Sequence, residues 1–100
     1  MEVIINNVSG KTLVVLKGRI DTTNADLFQQ DITPLMEGEH PDIDIDCSEM
    51  TYTSSQGLRI FLLLQKSVNV RGGKMVLRNM NAQVKEVFDI TGFSNIITIL

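Results

Sequence analysis

The sequence predicts a single α/β domain with a mixed, mostly parallel β-sheet and helices packed against it. Segments rich in β-branched residues alternate with segments of helical periodicity, in the order ββαβαβαβ. Such alternation implies right-handed crossovers between parallel strands. The chain has 100 residues, 43% of them apolar, which suffices for one buried core. We therefore expect residues 1–100 to form one domain.

The first two strands are expected to form a hairpin. Residues 1–8 contain the run Val3-Ile4-Ile5, and residues 12–16 form a second β-prone segment. Turn-forming residues separate the two segments at positions 6–10. A connection this short favours antiparallel pairing, so this pair makes the sheet mixed.

A helix with an interruption is predicted after the second strand. Thr23 is a candidate N-cap, with Asp26 three residues further on. Pro34 lies inside the apolar pattern, where it should kink or restart the helix near Thr33. One helical face is formed by residues at three- and four-residue spacing, namely Ala25, Phe28, Ile32 and Leu35.

A strand with two different faces is predicted at residues 42–47, where aspartate alternates with an apolar side chain. Ile43, Ile45 and Cys47 should point into the core, and the aspartates should point away from it. A hydroxyl-rich loop follows, and then a helix from about residue 56 to residue 70. Its core stripe is expected to be Leu58, Phe61, Leu64 and Val68.

The last third of the chain continues the alternation. Gly72-Gly73 predicts a turn, and residues 74–77 predict a strand. Asn81 is expected to cap a shorter helix that carries Val84, Val87 and Phe88 and is closed by Gly92. Residues 95–100 are strongly β-prone and predict a final strand.

Composition excludes several classes of function. Nine basic and twelve acidic residues are mixed along the chain, which argues against a nucleic-acid-binding surface. The longest apolar run, residues 60–64, is far too short to span a membrane. Residues 1–20 lack the basic head and apolar run of a signal peptide. Cys47 has no second cysteine to pair with, and a reducing cytoplasm fits best.

The segment with the clearest functional content is Tyr52-Thr53-Ser54-Ser55-Gln56-Gly57-Leu58-Arg59. Its hydroxyls lie where a loop should become a helix, and free N–H groups at a helix start favour an anion. One interpretation is that Ser55 is a regulatory phosphoacceptor. The other is that Ser54 and Ser55 are ordinary helix-capping residues.

The helix that follows predicts a docking surface. Arg59 and Lys66 share the face opposite its core stripe, and Leu62 and Leu63 fall beside these cations. Exposed leucines next to charges are typical of a protein-docking patch. The alternative is that a neighbouring helix covers the leucines.

Catalytic and ligand-binding alternatives have weaker support. Asp42, Asp44 and Asp46 are candidates for magnesium binding and phosphohydrolase chemistry, although a solvated strand face explains them more simply. Cys47 would need a base, and nothing in the sequence brings His40 to it. Nucleotide binding at the N–H groups of residues 56 and 57 ranks third among the functional hypotheses.

Residues 52–59 resemble the phosphorylation-site signature of STAS domains, the anti-sigma-factor antagonists of bacteria. Three other segments resemble that family in the same order. Residues 18–25 are similar to its strand-to-helix loop, residues 72–77 to its turn and following strand, and residues 84–97 to its closing helix and strand. The resemblance covers essentially the whole chain and implies one STAS domain over residues 1–100.

The resemblance implies a switch that works by protein binding and needs no cofactor, metal or catalytic residue. The family pattern assigns the phosphorylated serine to Ser55, two residues before Gly57. The implied partners are an anti-sigma factor that is also a serine kinase, and a serine/threonine phosphatase. Ser54 stands where many members have aspartate, which leaves Ser54 as a second candidate. The expected partner contacts are Asp21, Thr22, Ser54, Gln56, Gly57, Arg59, Leu62 and Leu63.

Some STAS domains serve transporters or signalling scaffolds and are not sigma-factor regulators. The alternative function is therefore an interaction module of such a complex, without phosphorylation.

Overall fold

Five strands form one β-sheet in the computed structural model, which describes residues 1–100. The strands are β1 (Glu2–Val8), β2 (Lys11–Ile20), β3 (Asp42–Thr53), β4 (Lys74–Arg78) and β5 (Thr98–Ile99). Their order in the sheet is the order of the chain. β1 and β2 pair antiparallel, and every other neighbouring pair is parallel. The predicted mixed, mostly parallel sheet is confirmed.

Three α-helices connect the parallel strands. They are α1 (Ala25–Asp31), α2 (Ser55–Val70) and α3 (Ala82–Ile90). Short 3-10 turns follow α1 at Thr33–Met36 and α3 at Phe93–Asn95. Each helix joins two strands that are neighbours in the sheet, so right-handed crossovers bring all three helices to the same face. The predicted order ββαβαβαβ is confirmed.

The three helices meet at a row of phenylalanines. The ring of Phe61 in α2 lies 5.4 Å from that of Phe28 in α1 and 5.7 Å from that of Phe88 in α3, measured between centroids. The tilted arrangement of both pairs is the geometry that aromatic rings prefer. The expected core stripe of α2 is buried, as are the apolar side chains of β3: Leu58, Phe61, Leu64, Val68, Ile43, Ile45 and Cys47.

The opposite face of the sheet carries ion pairs. Asp44 accepts a hydrogen bond from Arg78 Nε at 2.7 Å and lies 3.8 Å from Lys11 Nζ. Asp42 lies 3.9 Å from Lys74 Nζ. These carboxylates point away from the helices, so the predicted separation of the two faces of β3 is confirmed. Basic side chains on the two flanking strands, β2 and β4, thus compensate the negative charges of these aspartates.

The start of α1 differs from the prediction. The N-cap position is Asn24, not Thr23, and no side chain caps the helix. Thr23 does not cap the helix, because its hydroxyl and its N–H both donate to the carboxylate of Asp21. The predicted interruption near Pro34 is confirmed, since α1 ends at Asp31 and a 3-10 turn begins at Thr33.

Two strand boundaries also differ. β3 continues to Thr53, well beyond the predicted end at residue 47, because β2 supplies a partner as far as Ile20. The final strand is confined to Thr98–Ile99, since residues 93–95 form the 3-10 turn. The cap of α3 agrees with the prediction, with Asn81 Oδ1 accepting from the N–H of Val84 at 2.8 Å.

Arg71 fixes the far end of α2. Its guanidinium donates to the backbone carbonyls of Leu35 and Glu37, each at 2.7 Å. Its Nε donates to the carbonyl of Ser67 at 3.2 Å. The bonds to Leu35 and Glu37 satisfy carbonyls at the end of the 3-10 turn, whereas the carbonyl of Ser67 also accepts from the backbone N–H of Arg71 at 3.2 Å.

Gly57 brings the beginning of α2 against the ends of β2 and β3. A Cβ at this position would lie 2.3 Å from Thr53 Oγ1 and 3.0 Å from Ile20 Cγ2. The backbone N–H of Ser54 donates to the carbonyl of Ile20 at 2.9 Å. The helix therefore starts at a fixed place, because its first turn touches the sheet directly.

We predict that Gly57→Ala destabilises the fold. Overpacking costs about 1–3 kcal/mol and is partly offset by the better helix propensity of alanine, about 1 kcal/mol. The expected net loss is up to about 2 kcal/mol in the free energy of unfolding, measured by urea denaturation. Adding Thr53→Ala removes the closest atom, so the two changes should cost less together than their sum. An additive double variant would contradict the contact.

Candidate functional site

Two loops meet at one edge of the sheet. Asp21 and Thr22 follow β2, and Ser54 and Ser55 follow β3. β2 and β3 are parallel neighbours, and their last paired residues are Ile20 and Thr53. The carboxyl ends of adjacent parallel strands therefore bring these two polar loops together, at the position where such sheets generally bind ligands.

Ser54 and Ser55 have different environments. Ser54 is the N-cap of α2, and its Oγ accepts a hydrogen bond from the N–H of Gly57 at 3.3 Å. Ser54 is half-buried, whereas Ser55 is exposed and is the first residue of the helix. The hydroxyl of Ser55 makes no hydrogen bond within the chain. The capping bond is thus made by one serine, and the adjacent serine presents a free hydroxyl to solvent.

The electrostatics at this helix start suit a negative charge. The first turn of α2 contains no acidic residue. A helix start carries a partial positive charge because its first N–H groups lack intrahelical acceptors. The N–H of Gly57 is not one of the free groups predicted from the sequence, since it donates to Ser54.

The β2–α1 loop is held rigidly by its own side chains. The carboxylate of Asp21 accepts from Arg19 Nε at 3.1 Å and from the N–H of Thr23 at 2.9 Å. The hydrogen bond from the Thr23 hydroxyl contributes most to lowering the pKa of Asp21, followed by the Thr23 N–H. The side chain of Asn24 accepts from the N–H of Asp21 and donates to the carbonyl of Arg19. Thr22 remains exposed at the tip.

Arg19 and Tyr52 form a pair that sequence reasoning missed. The guanidinium carbon lies 5.0 Å from the centroid of the tyrosine ring, within the range of a cation–π contact. The side chain of Arg19 is 62% exposed, and Tyr52 is 44% exposed. The signal in the sequence that could have indicated an exposed Arg19 was its alternation with the buried Ile20. The pairing itself depends on the register of β2 against β3, which a single sequence does not define.

A cleft of about 140 Å³ separates α1 from α2 next to the serines. Arg59 and Leu63 of α2 line one side, and Asp26 and Gln29 of α1 line the other. Gln56 is exposed at the end of the cleft nearest the start of α2. Leu63 is 43% exposed, so a neighbouring helix does not cover it.

Two of the expected contact residues are less exposed than predicted. Gly57 is buried, because its missing side chain is what allows α2 to touch Ile20 and Thr53. Leu62 is only half-buried and does not present the open surface that Leu63 presents. Of the two leucines, Leu63 alone is strongly exposed.

A second groove of about 130 Å³ lies between the end of β3 and α3. Thr51, Tyr52 and Thr53 form one wall, and Val84 and Val87 contribute apolar surface on the other. The side chain of Asn81 ties α3 to this part of β3 by donating to the carbonyl of Met50 at 3.1 Å. The hydroxyl segment therefore has a groove on its α3 side as well as the cleft between α1 and α2.

The groups considered for catalysis lie away from this edge. Asp42 and Asp44 are ion-paired on the open face of the sheet. Cys47 is buried, and burial raises its thiol pKa to about 12. His40 lies in the loop before β3, with Nδ1 3.4 Å from the carbonyl oxygen of Gly72. No three His, Cys, Asp or Glu side chains come together as a metal site. None of the helices has the length and hydrophobicity needed to cross a bilayer.

The fold and the sequence both match known proteins. The STAS domain family matches residues 2–100. The anti-sigma-B factor antagonist of Bacillus subtilis is 34% identical over 86 residues, which cover 86% of this chain and 78% of that protein.

Two solved structures share the fold. An anti-sigma-factor antagonist (STAS) domain protein from Planctomyces limnophilus superposes with a TM-score of 0.86 at 14% identity, covering 98% of this chain and 87% of the other. The Bacillus cell fate determinant SpoIIAA, in its phosphorylated form, gives a TM-score of 0.71 at 14% identity, covering 99% and 91%. With the family match over nearly its whole length, the chain belongs to the STAS domain family of anti-sigma factor antagonists.

Proposed function

We propose that the protein binds an anti-sigma factor, and that phosphorylation of Ser55 switches this binding off. In this proposal residues 1–100 work as one cytoplasmic STAS domain that acts by binding and not by catalysis. The anti-sigma factor is also the serine kinase, and a serine/threonine phosphatase restores the unmodified protein.

The observation that carries the proposal is the division of roles between two adjacent serines. Ser54 makes the capping bond to Gly57, so α2 does not need the hydroxyl of Ser55. Ser55 is exposed and is the first residue of the helix. A kinase can therefore reach this oxygen without unfolding the helix. This supports Ser55 over Ser54 as the phosphoacceptor.

The helix start also favours the phosphorylated product. A phosphate adds about −1.5 to −2 charge, and a helix N-terminus is an electrostatically favourable place for it. The fold should persist after modification, while a partner docked on the same surface meets new charge and bulk. The phosphorylated form of SpoIIAA, which shares this fold, is consistent with such a modified state.

The proposed docking surface surrounds Ser55. Asp21 and Thr22 lie on one side, at the end of β2, and Gln56, Arg59 and Leu63 continue along α2. Ser54 and Leu62 contribute their partly exposed atoms. Two residues join the expected set, since Arg19 and Tyr52 are exposed beside Asp21. A polar rim with an aromatic and a leucine is typical of a protein-binding patch.

The alternative is a STAS module that assembles a transporter or scaffold complex without phosphorylation. It uses the same edge of the sheet but makes no use of a free hydroxyl at Ser55. Absence of phosphorylation by the kinases encoded beside its gene, together with binding to transport or scaffold proteins, would favour this alternative.

The two serines should differ in their effect on stability. Ser54→Ala removes the cap of α2, and we expect a loss of about 1 kcal/mol in the free energy of unfolding. Ser55→Ala removes no intramolecular bond, and we expect a change within about 0.5 kcal/mol. Urea denaturation of both variants provides the comparison. A larger loss for Ser55→Ala would reverse the assignment of the cap.

Phosphorylation should occur at Ser55. Incubation with the cognate kinase and ATP, followed by peptide mass spectrometry, is expected to place one phosphate on this residue. Ser55→Ala should abolish the modification, whereas Ser54→Ala should retain it, because Ser54 is half-buried and engaged in the cap. A phosphate on Ser54 in the unaltered chain would show that our proposal names the wrong serine.

Negative charge at Ser55 should weaken partner binding. We expect Ser55→Asp to bind the anti-sigma factor at least about tenfold more weakly, which corresponds to about 1.4 kcal/mol. Ser55→Ala should bind as the unaltered chain does. Asn95→Asp is a matched control because Asn95 is exposed and precedes β5, at the opposite edge of the sheet. Isothermal titration calorimetry measures the affinities, and equal affinity for Ser55→Asp and Asn95→Asp would remove the basis of the switch.

A further inference from the structure

Arg59 is one of two basic residues whose side chains have no ion-pair or hydrogen-bond partner in the chain. Every other Lys or Arg side chain except Lys66 has an ion-pair or hydrogen-bond partner. Asp26 lines the same cleft as Arg59, yet the two side chains form no ion pair. A long cation that stays unpaired beside a carboxylate is available to another anion.

The helix brings Arg59 to Ser55. The two residues are four apart in α2, so their side chains lie on the same face, one turn from each other. Helical side chains lean towards the N-terminus, and the guanidinium of Arg59 therefore reaches back over the turn that begins at Ser55. An anion placed N-terminal to a cation at this spacing is the more favourable order.

The other cations are poorly placed to compete. Lys66 lies eleven residues beyond Ser55 on α2, about 16 Å along the axis at 1.5 Å per residue. Arg19 is closer to the serines but is already bonded to Asp21 at 3.1 Å and stacked on Tyr52. Arg59 is the free cation within one helical turn of the phosphoacceptor.

We propose that a phosphate on Ser55 forms an ion pair with the guanidinium of Arg59, so that Arg59 is available to a protein partner only while Ser55 is unmodified. The inference rests on the proposed function in taking Ser55 as the modified residue. It adds a mechanism to the switch. The phosphate blocks the surface directly and also occupies the one cation that lines the cleft between α1 and α2.

This mechanism changes the charge of the cleft at a distance from the modified atom. In the unmodified protein the cleft has one basic residue, Arg59, opposite one acidic residue, Asp26. After phosphorylation the guanidinium pairs with a group of about −1.5 to −2 charge, and Asp26 is the remaining charged residue that lines the cleft. An acidic partner side chain that binds Arg59 then loses its site.

The test requires neither kinase nor partner. Phosphoserine is incorporated at position 55 of the full chain by genetic encoding, and the second ionisation of the phosphate is followed by ³¹P NMR. Pairing with a cation favours the dianion, so Arg59→Gln should raise this phosphate pKa by about 0.3, the equivalent of an ion pair of about 0.4 kcal/mol. Arg59→Lys should restore part of the difference, and 1 M salt should remove most of it.

Lys66→Gln is the matched control, since it removes the same charge from the same helix beyond the reach of Ser55. Its phosphate pKa should stay within about 0.1 of the unaltered chain, because that separation exceeds the screening length of about 10 Å in 0.1 M salt. A larger effect of Arg59→Gln than of Lys66→Gln supports the pair, and equal effects of the two variants overturn it. Both variants change exposed side chains without intramolecular partners, so folding is not at risk.

The outcome is independent of the proposed function. If no kinase modifies Ser55, the proposed switch fails, but the titration of the encoded phosphoserine still reports on the pair. If the titration is insensitive to Arg59, the pair is disproved, while the effect of Ser55→Asp on partner binding stands on its own.

Discussion

The contact between Gly57 and the ends of β2 and β3 determines the geometry of the site. A side chain at this position would overlap Thr53 and press on Ile20, so only glycine lets the first turn of α2 lie directly on the sheet. The bond from Ser54 N–H to the carbonyl of Ile20 fixes the same junction from the backbone. The positions of the residues in the first turns of α2 follow from this junction. It places Ser54 in the cap, Ser55 in solvent and Arg59 one turn further along the surface.

Separating the cap from the proposed phosphoacceptor would make modification compatible with folding. If one hydroxyl served both purposes, a phosphate would break the bond that begins the helix, and the switch would act by local unfolding. Here the capping bond belongs to Ser54, and the bonds of the β2–α1 loop belong to Asp21 and Asn24. A charge added at Ser55 changes the surface and leaves these bonds intact. In the proposed switch, recognition would therefore be controlled by electrostatics on an unchanged fold.

The sequence predicted those features that depend on local periodicity. Alternation of aspartate with apolar residues identified β3 and its two faces, and helical spacing identified the buried stripe of α2. The Asn81 cap and the break at Pro34 were predicted correctly because each depends on one residue and its near neighbours. The hydroxyl segment and its family resemblance also pointed to Ser55 as the phosphoacceptor, which stays a prediction, and this residue is exposed at the start of α2.

Features that depend on strand register were not predictable in this way. The stacking of Arg19 on Tyr52 requires β2 and β3 to pair with particular residues opposite each other, across two shifts of register. Thr23 matched a helix cap in sequence, but the nearby carboxylate of Asp21 competes for its hydroxyl and its N–H. The buried role of Gly57 was missed because it depends on how closely a helix approaches a sheet. In each case a tertiary contact overrode a local preference.

The agreement between strand order and chain order has a consequence for biosynthesis. Each strand pairs with the strand synthesised just before it, and each crossover helix connects two strands that are neighbours in the sheet. No strand waits for a distant segment, since each parallel pairing requires closure of one crossover of about 20 residues, the one that carries its helix. During synthesis from the N-terminus, the sheet can therefore extend one strand at a time.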